Sequence, residues 1–397
     1  MVLGRLKNKI GVSDASSAPT EGDDIGSENQ SILMGIISQL RPGCDLTRIT
    51  LPTFILERKS MLERITNAFH TPQILFEANS TSDDMQRFLL VVKWYLSSWH
   101  IAPKAVKKPL NPILGEVFSC FWDDLPDQST GYYVAEQTCH HPPESSYFYM
   151  VPEKKIRADG VVIPRSKFLG NSSAAMMEGI AHLTLGEHEN EVYSMTQPNV
   201  YCRGILFGKL KMELGDHMLI KCESLELEAD IEFKTKGFIS GDYDVIEGTV
   251  KDSRTGKILY TITGKWNGVM EIQETKGSKE EFLDTREIKT YPPQVKPMEE
   301  QLPHESRKLW DSTTRALGEN DHKTATDEKF KIEEEQRRKA RERAESGIPF
   351  EPKLFRKDDE NEVPFIINAA IDVVNDTSEE MKYKLNSLFR IVPQDRS

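Results

Sequence analysis

No apolar run in this 397-residue chain approaches the roughly 18 residues that a bilayer-spanning helix needs; the densest, at 88–92, is far too short. The first residues, Met1-Val2-Leu3-Gly4-Arg5-Leu6-Lys7, lack the apolar stretch of a signal peptide. Val2 excludes myristoylation, and Gln394-Asp395-Arg396-Ser397 carries no prenylation box. Cysteine is scarce: Cys44, Cys120, Cys139, Cys202 and Cys222 are odd in number, widely spaced and form no Cys-x-x-Cys pair. They read as reduced thiols of a cytosolic protein rather than a disulfide framework or a zinc site. Positive charge is in deficit, 51 Lys and Arg against 63 Asp and Glu, and the net charge of −12 argues against nucleic acid as a partner. It argues equally against constant attachment to anionic membranes, so membrane contact is expected to be brief and local. No Gly-x-Ser-x-Gly elbow and no His-Glu-x-x-His helix occurs. What is present, 38% hydrophobic residues, suits a soluble globular chain.

Residues 1–30 read as a disordered acidic segment carrying Glu21, Asp23, Asp24 and Glu28. The remainder, 31–397, reads as one domain. Ile32, Leu33, Ile36, Ile37 and Leu40 recur at helical spacing and are stopped by Pro42-Gly43. Such a short amphipathic helix packs on a core or covers an apolar cavity; a lid at about 31–45 is the second alternative. Helices are predicted over 55–69 and 83–100, the second with Ser82 or Asp83 as N-cap. From 132 to 272 the pattern turns to strands, at 132–138, 147–151, 180–185, 192–196, 205–214, 217–222, 225–233, 243–250, 258–263 and 265–272. Gly215-Asp216 and Asp252-Ser253-Arg254-Thr255-Gly256 are expected turns between them. Consecutive strands without intervening helices predict a β-dominated α+β fold. Its centre is a large, near-complete antiparallel β-barrel with an apolar tunnel, N-terminal lid and helices, and a long C-terminal helical segment. A charged helix over 325–346, stopped by Gly347 and Pro349, and an amphipathic one over 378–390 complete the reading.

The most informative stretch is Glu136-Gln137-Thr138-Cys139-His140-His141-Pro142-Pro143. Imidazole titrates near neutrality, so an approaching phosphate can recruit both rings as charged donors. The prolines restrict their own φ and that of the preceding residue, holding the pair in a defined pose. A pair of surface histidines beside a turn is the alternative. So is a metal-dependent enzyme, although neighbours on an extended strand point to opposite sides and suit a bidentate metal site poorly. No metal site and no cofactor are expected.

This stretch resembles the signature of the oxysterol-binding-protein-related lipid transfer family, with Cys139 where the usual form has Ser. Further similar segments are Leu51-Pro52-Thr53-Phe54-Ile55-Leu56-Glu57, the box Lys107-Lys108-Pro109-Leu110-Asn111-Pro112-Ile113-Leu114-Gly115-Glu116, and Pro164-Arg165-Ser166-Lys167-Phe168-Leu169-Gly170-Asn171-Ser172, placed between strands. Lys329, Glu333 and Arg337 form a fourth, on the late helix. Together they look most like the yeast subgroup that exchanges phosphatidylserine for phosphatidylinositol 4-phosphate. The resemblance implies that Lys108, Asn111, His140, His141, Lys329, Glu333 and Arg337 take the phosphoinositide. It implies Lys108, Asn111, Ser166 and the Leu51 backbone for phosphatidylserine. It further implies the 31–40 helix as lid, no enzymatic activity, and work at contacts between endoplasmic reticulum and plasma membrane. Sterol exchanged for the same phosphoinositide is the alternative cargo.

The chemistry fits these assignments. Lys329, Glu333 and Arg337 stand at i, i+4 and i+8, where Glu333 is expected to hold both cations through i, i+4 pairs. Arg337 offers a planar fork and Lys329 a point charge. Each buried methylene is worth about 0.8 kcal/mol, so a lipid with roughly 30 chain methylenes loses on the order of 24 kcal/mol in bare water. Only a closed apolar tunnel carries it through cytosol. The acidic residues before the lid should repel anionic headgroups within a Debye length of about 8 Å. Finally, Glu281, Phe282, Asp284 and Glu287 resemble a motif that docks endoplasmic-reticulum receptors, but Leu283 and Thr285 break it, and the apolar pair reads better as part of the last strand.

Overall fold

The computed structural model describes residues 42–44, 52–101, 106–189, 191–205, 210–237 and 241–389. The acidic segment, the 31–40 helix and Leu51 lie outside the described residues. Strand β1 (Leu56–Ser60) pairs in parallel with β2 (Lys108–Leu110). The main sheet begins with β3 (Val117–Trp122), β4 (Gly131–His140), β5 (Pro143–Val151), β6 (Ile156–Phe168), β7 (Ser172–Glu178), β8 (Ala181–Leu185), β9 (Val192–Met195) and β10 (Asn199–Arg203). It continues through β11 (Lys211–Cys222), β12 (Leu227–Lys234), β13 (Val245–Asp252), β14 (Ile258–Lys265), β15 (Val269–Glu274) and β16 (Lys279–Asp284).

These fourteen strands form one antiparallel sheet that runs largely in sequence order, from β3 at one edge to β16 at the other. β7 and β8 follow one another along β6 in one register, and β9 and β10 follow one another along β11. Laid flat, twelve strand positions would span roughly 50 Å. Yet Phe118 and Tyr133 near one edge share a single apolar core with Ile262, Met270 and Phe282 near the other. The sheet therefore curls around its own interior. Helices α1 (Pro72–Ser80) and α2 (Asp84–Ser97) contribute Leu75, Phe88, Val92 and Trp94 to that same core. The β3 edge is covered by the returning chain, which makes bridges at Val117 with Glu305 and at Phe121 with Gln294.

Both faces of β4 and β5 are buried. Tyr133, Ala135, Tyr147 and Tyr149 face inward, while Tyr132, Val134, Phe148 and Met150 meet a second core built with Phe355, Ile367, Met381 and Leu385. The last two lie on the C-terminal helix α4 (Ser378–Phe389), and α3 is the long charged helix His322–Ser346.

Several expectations are corrected. The helix predicted over 55–69 is β1 followed by short helical turns at Met61–Arg64 and Ile65–Phe69, because the ladder with β2 claims the first residues. Gly215-Asp216 is no turn. β11 runs through it with Asp216 at φ 66, and pairs with β10 before that point and β12 after it. Pro164 to Phe168 lies within β6, not between strands. β6 outruns β5, whose last partner is Val162, so on that side Pro164 meets no strand among the described residues. Asp83, not Ser82, caps α2, accepting a hydrogen bond from the Gln86 N–H at 2.8 Å. Phe282 and Leu283 are buried in β16, as the strand reading expected, which withdraws them from any exposed docking motif. Among the described residues no helix is long and apolar enough to cross a membrane.

Candidate functional site

The site grows from the Lys108–Glu116 box and the histidine strand, which the sheet holds together. The Gly115 N–H donates to the Gln137 carbonyl at 3.0 Å and the Gln137 N–H returns a bond to the Glu116 carbonyl at 2.9 Å. Gly115 has φ 78, and a Cβ there would press on the Phe350 ring at 3.1 Å. Gln137 also fixes the turn: its amide donates to the Cys139 carbonyl at 2.8 Å and accepts from the Ser145 hydroxyl at 2.6 Å.

Two buried carboxylates anchor this assembly. Glu116, wholly buried, accepts from the Ser60 and Ser306 hydroxyls at 2.5 and 2.7 Å. Its other oxygen accepts from Trp310 Nε1 at 2.9 Å and the Ile113 N–H at 3.1 Å. Burial raises its pKa, against the pull of all four donors. Glu136 accepts from the Lys353 and Leu354 N–H groups, both at 2.8 Å, and so fastens the chain that leaves α3.

Behind these motifs, inside the curled sheet, lies a cavity in which the centres of water-sized atoms range over about 310 Å³. Ile55, Ile65, Tyr95, Val162, Met177, Met212 and Leu214 give it an apolar wall. Lys108, Asn111, Gln137, Ser145 and Ser166 supply polar groups, as does the ion pair of Arg64 with Glu57 at 2.6 Å. Lys108 lines the cavity with part of its side chain exposed, and protein packs around the rest. Burial accordingly holds its ammonium below the usual lysine range; Lys329 adds to this and Glu333 opposes it.

Helix α3 crosses beside this site. The Thr53 hydroxyl bonds the His322 carbonyl at its N-terminus at 3.3 Å, Asp321 caps it, and Gly347 ends it in the left-handed conformation. Only Ala325 and Gln336 of its residues are buried. Gln336 reaches both motifs: its Oε1 accepts from the Leu114 N–H at 3.0 Å, and its Nε2 meets His140 Nε2. Lys329 pairs with Glu333 as expected. Arg337 does not. It pairs with Glu334 at 2.9 Å and lies over the Phe330 ring, because the i, i+3 carboxylate is the nearer on this face.

The histidine rings are also placed differently from the expectation of opposite sides. Their centroids are 4.4 Å apart, since a register shift between Gln137 and Cys139 and the turn at His141 end the strand's alternation. His140 has its pKa lowered to about 4 by burial and by His141, with Glu333 opposing and Arg337 and Arg343 adding to the shift. In the protein alone it is therefore in the neutral form at pH 7, and the charged donor expected on a phosphate's approach is not its resting state. Among the described residues no group of three His, Cys, Asp or Glu side chains stands close enough to hold a metal ion. Of the expected residues, Lys108, Asn111 and Ser166 line the cavity. His140, Lys329, Glu333 and Arg337 gather beside it around α3, within each other's electrostatic reach.

Comparison with known proteins settles the kinship. The chain matches the family described as Oxysterol-binding protein over residues 35–315 and 312–386. It belongs to the oxysterol-binding protein family. It is 65% identical to the oxysterol-binding protein-like protein OBPa of Candida albicans, across 85% of this chain and 78% of that one. It is 53% identical to oxysterol-binding protein homolog 6 of Saccharomyces cerevisiae, across 97% of this chain and 87% of the relative. In fold it is similar to the Osh1 ORD domain crystallised with cholesterol, with TM-score 0.73, 24% identity and coverage of 89% and 90%. The Osh3 ORD in complex with PI(4)P gives TM-score 0.64, 22% identity and coverage of 95% and 96%. At that identity these two likenesses carry the fold alone.

In this oxysterol-binding protein relative, reasoning from sequence missed Gln336, Glu136, and the roles of Glu116 and Gln137. Glu116 and Glu136 sit inside the matched motifs, and a carboxylate flanked by apolar residues is a signal of a buried anchor. Gln336 carried no signal, being one polar residue in a helix charged on every side.

Proposed function

We propose that this protein is a non-vesicular lipid exchanger that takes phosphatidylserine and phosphatidylinositol 4-phosphate alternately into its apolar cavity. The observation that carries this reading is an enclosed lysine, Lys108, with Asn111 and Ser166 on the wall of a greasy chamber, beside a cluster of His140, Lys329 and Arg337. A partly desolvated ammonium favours an anionic partner. Both phospholipids bring one, whereas the single hydroxyl of a sterol would leave the charge uncompensated, so the sterol alternative is the weaker. Phosphatidylserine adds a carboxylate and an ammonium, met by Lys108, the two-sided amide of Asn111 and the Ser166 hydroxyl, with Leu51 completing the set. The phosphomonoester, at about −1.5 to −2 charge, meets His140, His141, Lys329 and Arg337. Whichever lipid occupies the cavity bars the other, which couples the two fluxes between endoplasmic reticulum and plasma membrane. The chemistry asks for no bond to be made or broken, so no enzymatic step is assigned.

Replacing His140 and His141 with Ala is expected to lower phosphoinositide extraction from liposomes by at least tenfold while phosphatidylserine extraction stays within about twofold, since each lost charge-assisted bond is worth about 1.5–3 kcal/mol. Fluorescent reporters of each lipid in the liposome supernatant check both. Equal loss of both lipids would overturn the division of roles.

A further inference from the structure

We infer that Gln336 is a positioning residue that fixes the tautomer of His140, so that the ring carries its proton on Nδ1 and offers that N–H to an anionic oxygen. The inference rests on the proposed role of His140 in phosphate binding for its purpose, but not for its geometry. A backbone N–H can only donate. The Leu114 N–H lies 3.0 Å from one end of the Gln336 amide, so that end is the oxygen and the other is the NH2 group. The NH2 group faces His140 Nε2, which must therefore be the lone-pair acceptor. A neutral imidazole has one proton, and it is left on Nδ1. Nδ1 is buried and finds no hydrogen-bond partner among the described residues. An unpaired buried donor is costly, and an incoming phosphate oxygen removes that cost.

Gln336 is suited to this task by its setting. It is the one buried polar side chain among the described residues of α3, on a helix otherwise charged and solvated. Its two bonds join the Lys108–Glu116 box, through Leu114, to His140, adding a side-chain link to the backbone bonds that already tie the box to the histidine strand. The charged and titratable groups facing His140 are His141 from its own strand and Glu333, Arg337 and Arg343 from α3 and its end. Only Glu333 favours a protonated ring, and the salt bridge with Lys329 offsets it. The neutral Nδ1–H form agrees with the ring's lowered pKa.

The test is nitrogen NMR of the full chain labelled with ¹⁵N-histidine, the His140 signals being those lost in His140→Gln. At pH 7.5 the wild-type ring is expected to show a protonated Nδ1 and an unprotonated Nε2. In Gln336→Glu the carboxylate keeps the Leu114 bond but accepts from Nε2, and His140 is expected to become doubly protonated at the same pH. In Gln336→Met, which keeps the volume, the ring is expected to shift toward the Nε2–H form that free imidazole side chains prefer. A wild-type ring protonated on Nε2, or a ring unchanged in Gln336→Glu, would overturn the inference. Should the methionine variant fail to fold, the wild-type and glutamate spectra decide alone. Extraction of phosphatidylinositol 4-phosphate from phosphatidylcholine vesicles is measured on the same samples. An Nδ1–H ring together with full extraction by His140→Ala leaves the tautomer assignment standing and sinks the proposed binding role instead.

Discussion

Replacing Lys108 with Met is expected to cut the uptake of both phospholipids by about 10- to 150-fold, the range set by losing one charge-assisted contact of 1.5–3 kcal/mol. Methionine keeps the length and apolar stem of lysine, so the cavity wall beside Leu110 and Pro112 stays filled. What disappears is the enclosed ammonium. Its lowered pKa means the free protein already bears the strain of an underhydrated cation next to Lys329. An anionic headgroup relieves that strain whichever lipid carries it, which is why both cargoes should suffer where the histidine variants lose one. Lipids co-purifying with the wild type and the variant, quantified by mass spectrometry, check the outcome. A variant that still carries phosphatidylserine at wild-type level would detach Lys108 from headgroup recognition. Failure of the methionine protein to bind alongside an unchanged melting curve would exclude misfolding as the cause.

How far the sequence anticipated this molecule depends on the range of the forces involved. α2 was legible because its apolar face and its Asp83 cap are both local. The antiparallel meander was legible because from β11 to β16 each strand pairs with the next in sequence, so turn residues such as Asp252 to Gly256 mark real turns. β1 was read as helix because its partner β2 is parallel and distant in sequence, and Met61, Leu62 and Ile65 carried the helical spacing backward over it. At Gly215-Asp216 the same residues that make a hairpin instead let one strand kink, and only the pairing on either side distinguishes the two. β6 hid behind Gly160 and Pro164, both breakers in a local reading. Gly160 is needed because a Cβ there would stand 2.3 Å from the Tyr147 ring, a constraint across the sheet.

The site shows the same division. The motifs were visible as strings, and their resemblance pointed to the right family, but the strings do not reveal what holds them. Lys329 finding Glu333 follows from helical periodicity; Arg337 choosing Glu334 depends on rotamers. The sequence marked the histidine pair as able to charge on a phosphate's approach, and burial beside a second imidazole and two arginines keeps His140 neutral in the protein alone. The consequence is functional. A ring held neutral by its surroundings offers a phosphate oxygen its Nδ1–H without first having to take up a proton.

Glu116 supports all of this from behind, and its replacement by Ala is expected to destabilise the fold by about 2–6 kcal/mol, the cost of the two buried donors it leaves without an acceptor. The serine hydroxyls can turn elsewhere; Ser306 already reaches the Val117 carbonyl at 3.3 Å. The Trp310 indole and the Ile113 N–H cannot, and each becomes a buried donor without an acceptor, at about 1–3 kcal/mol apiece. Glu116→Gln should be far milder, near 1 kcal/mol, a typical net hydrogen-bond contribution. Its carbonyl can face the two fixed N–H groups while its NH2 faces the hydroxyls, which rotate to accept. Because Ile113 lies in the same loop as Lys108 and Asn111, the alanine variant should also lose lipid uptake, whereas the glutamine variant should keep it. Urea denaturation followed by the fluorescence of the chain's five tryptophans, Trp310 among them, measures the difference. If glutamine proves as damaging as alanine, the carboxylate's charge rather than its geometry holds the loop in place, and the adaptable serine pair has been given a role it does not have.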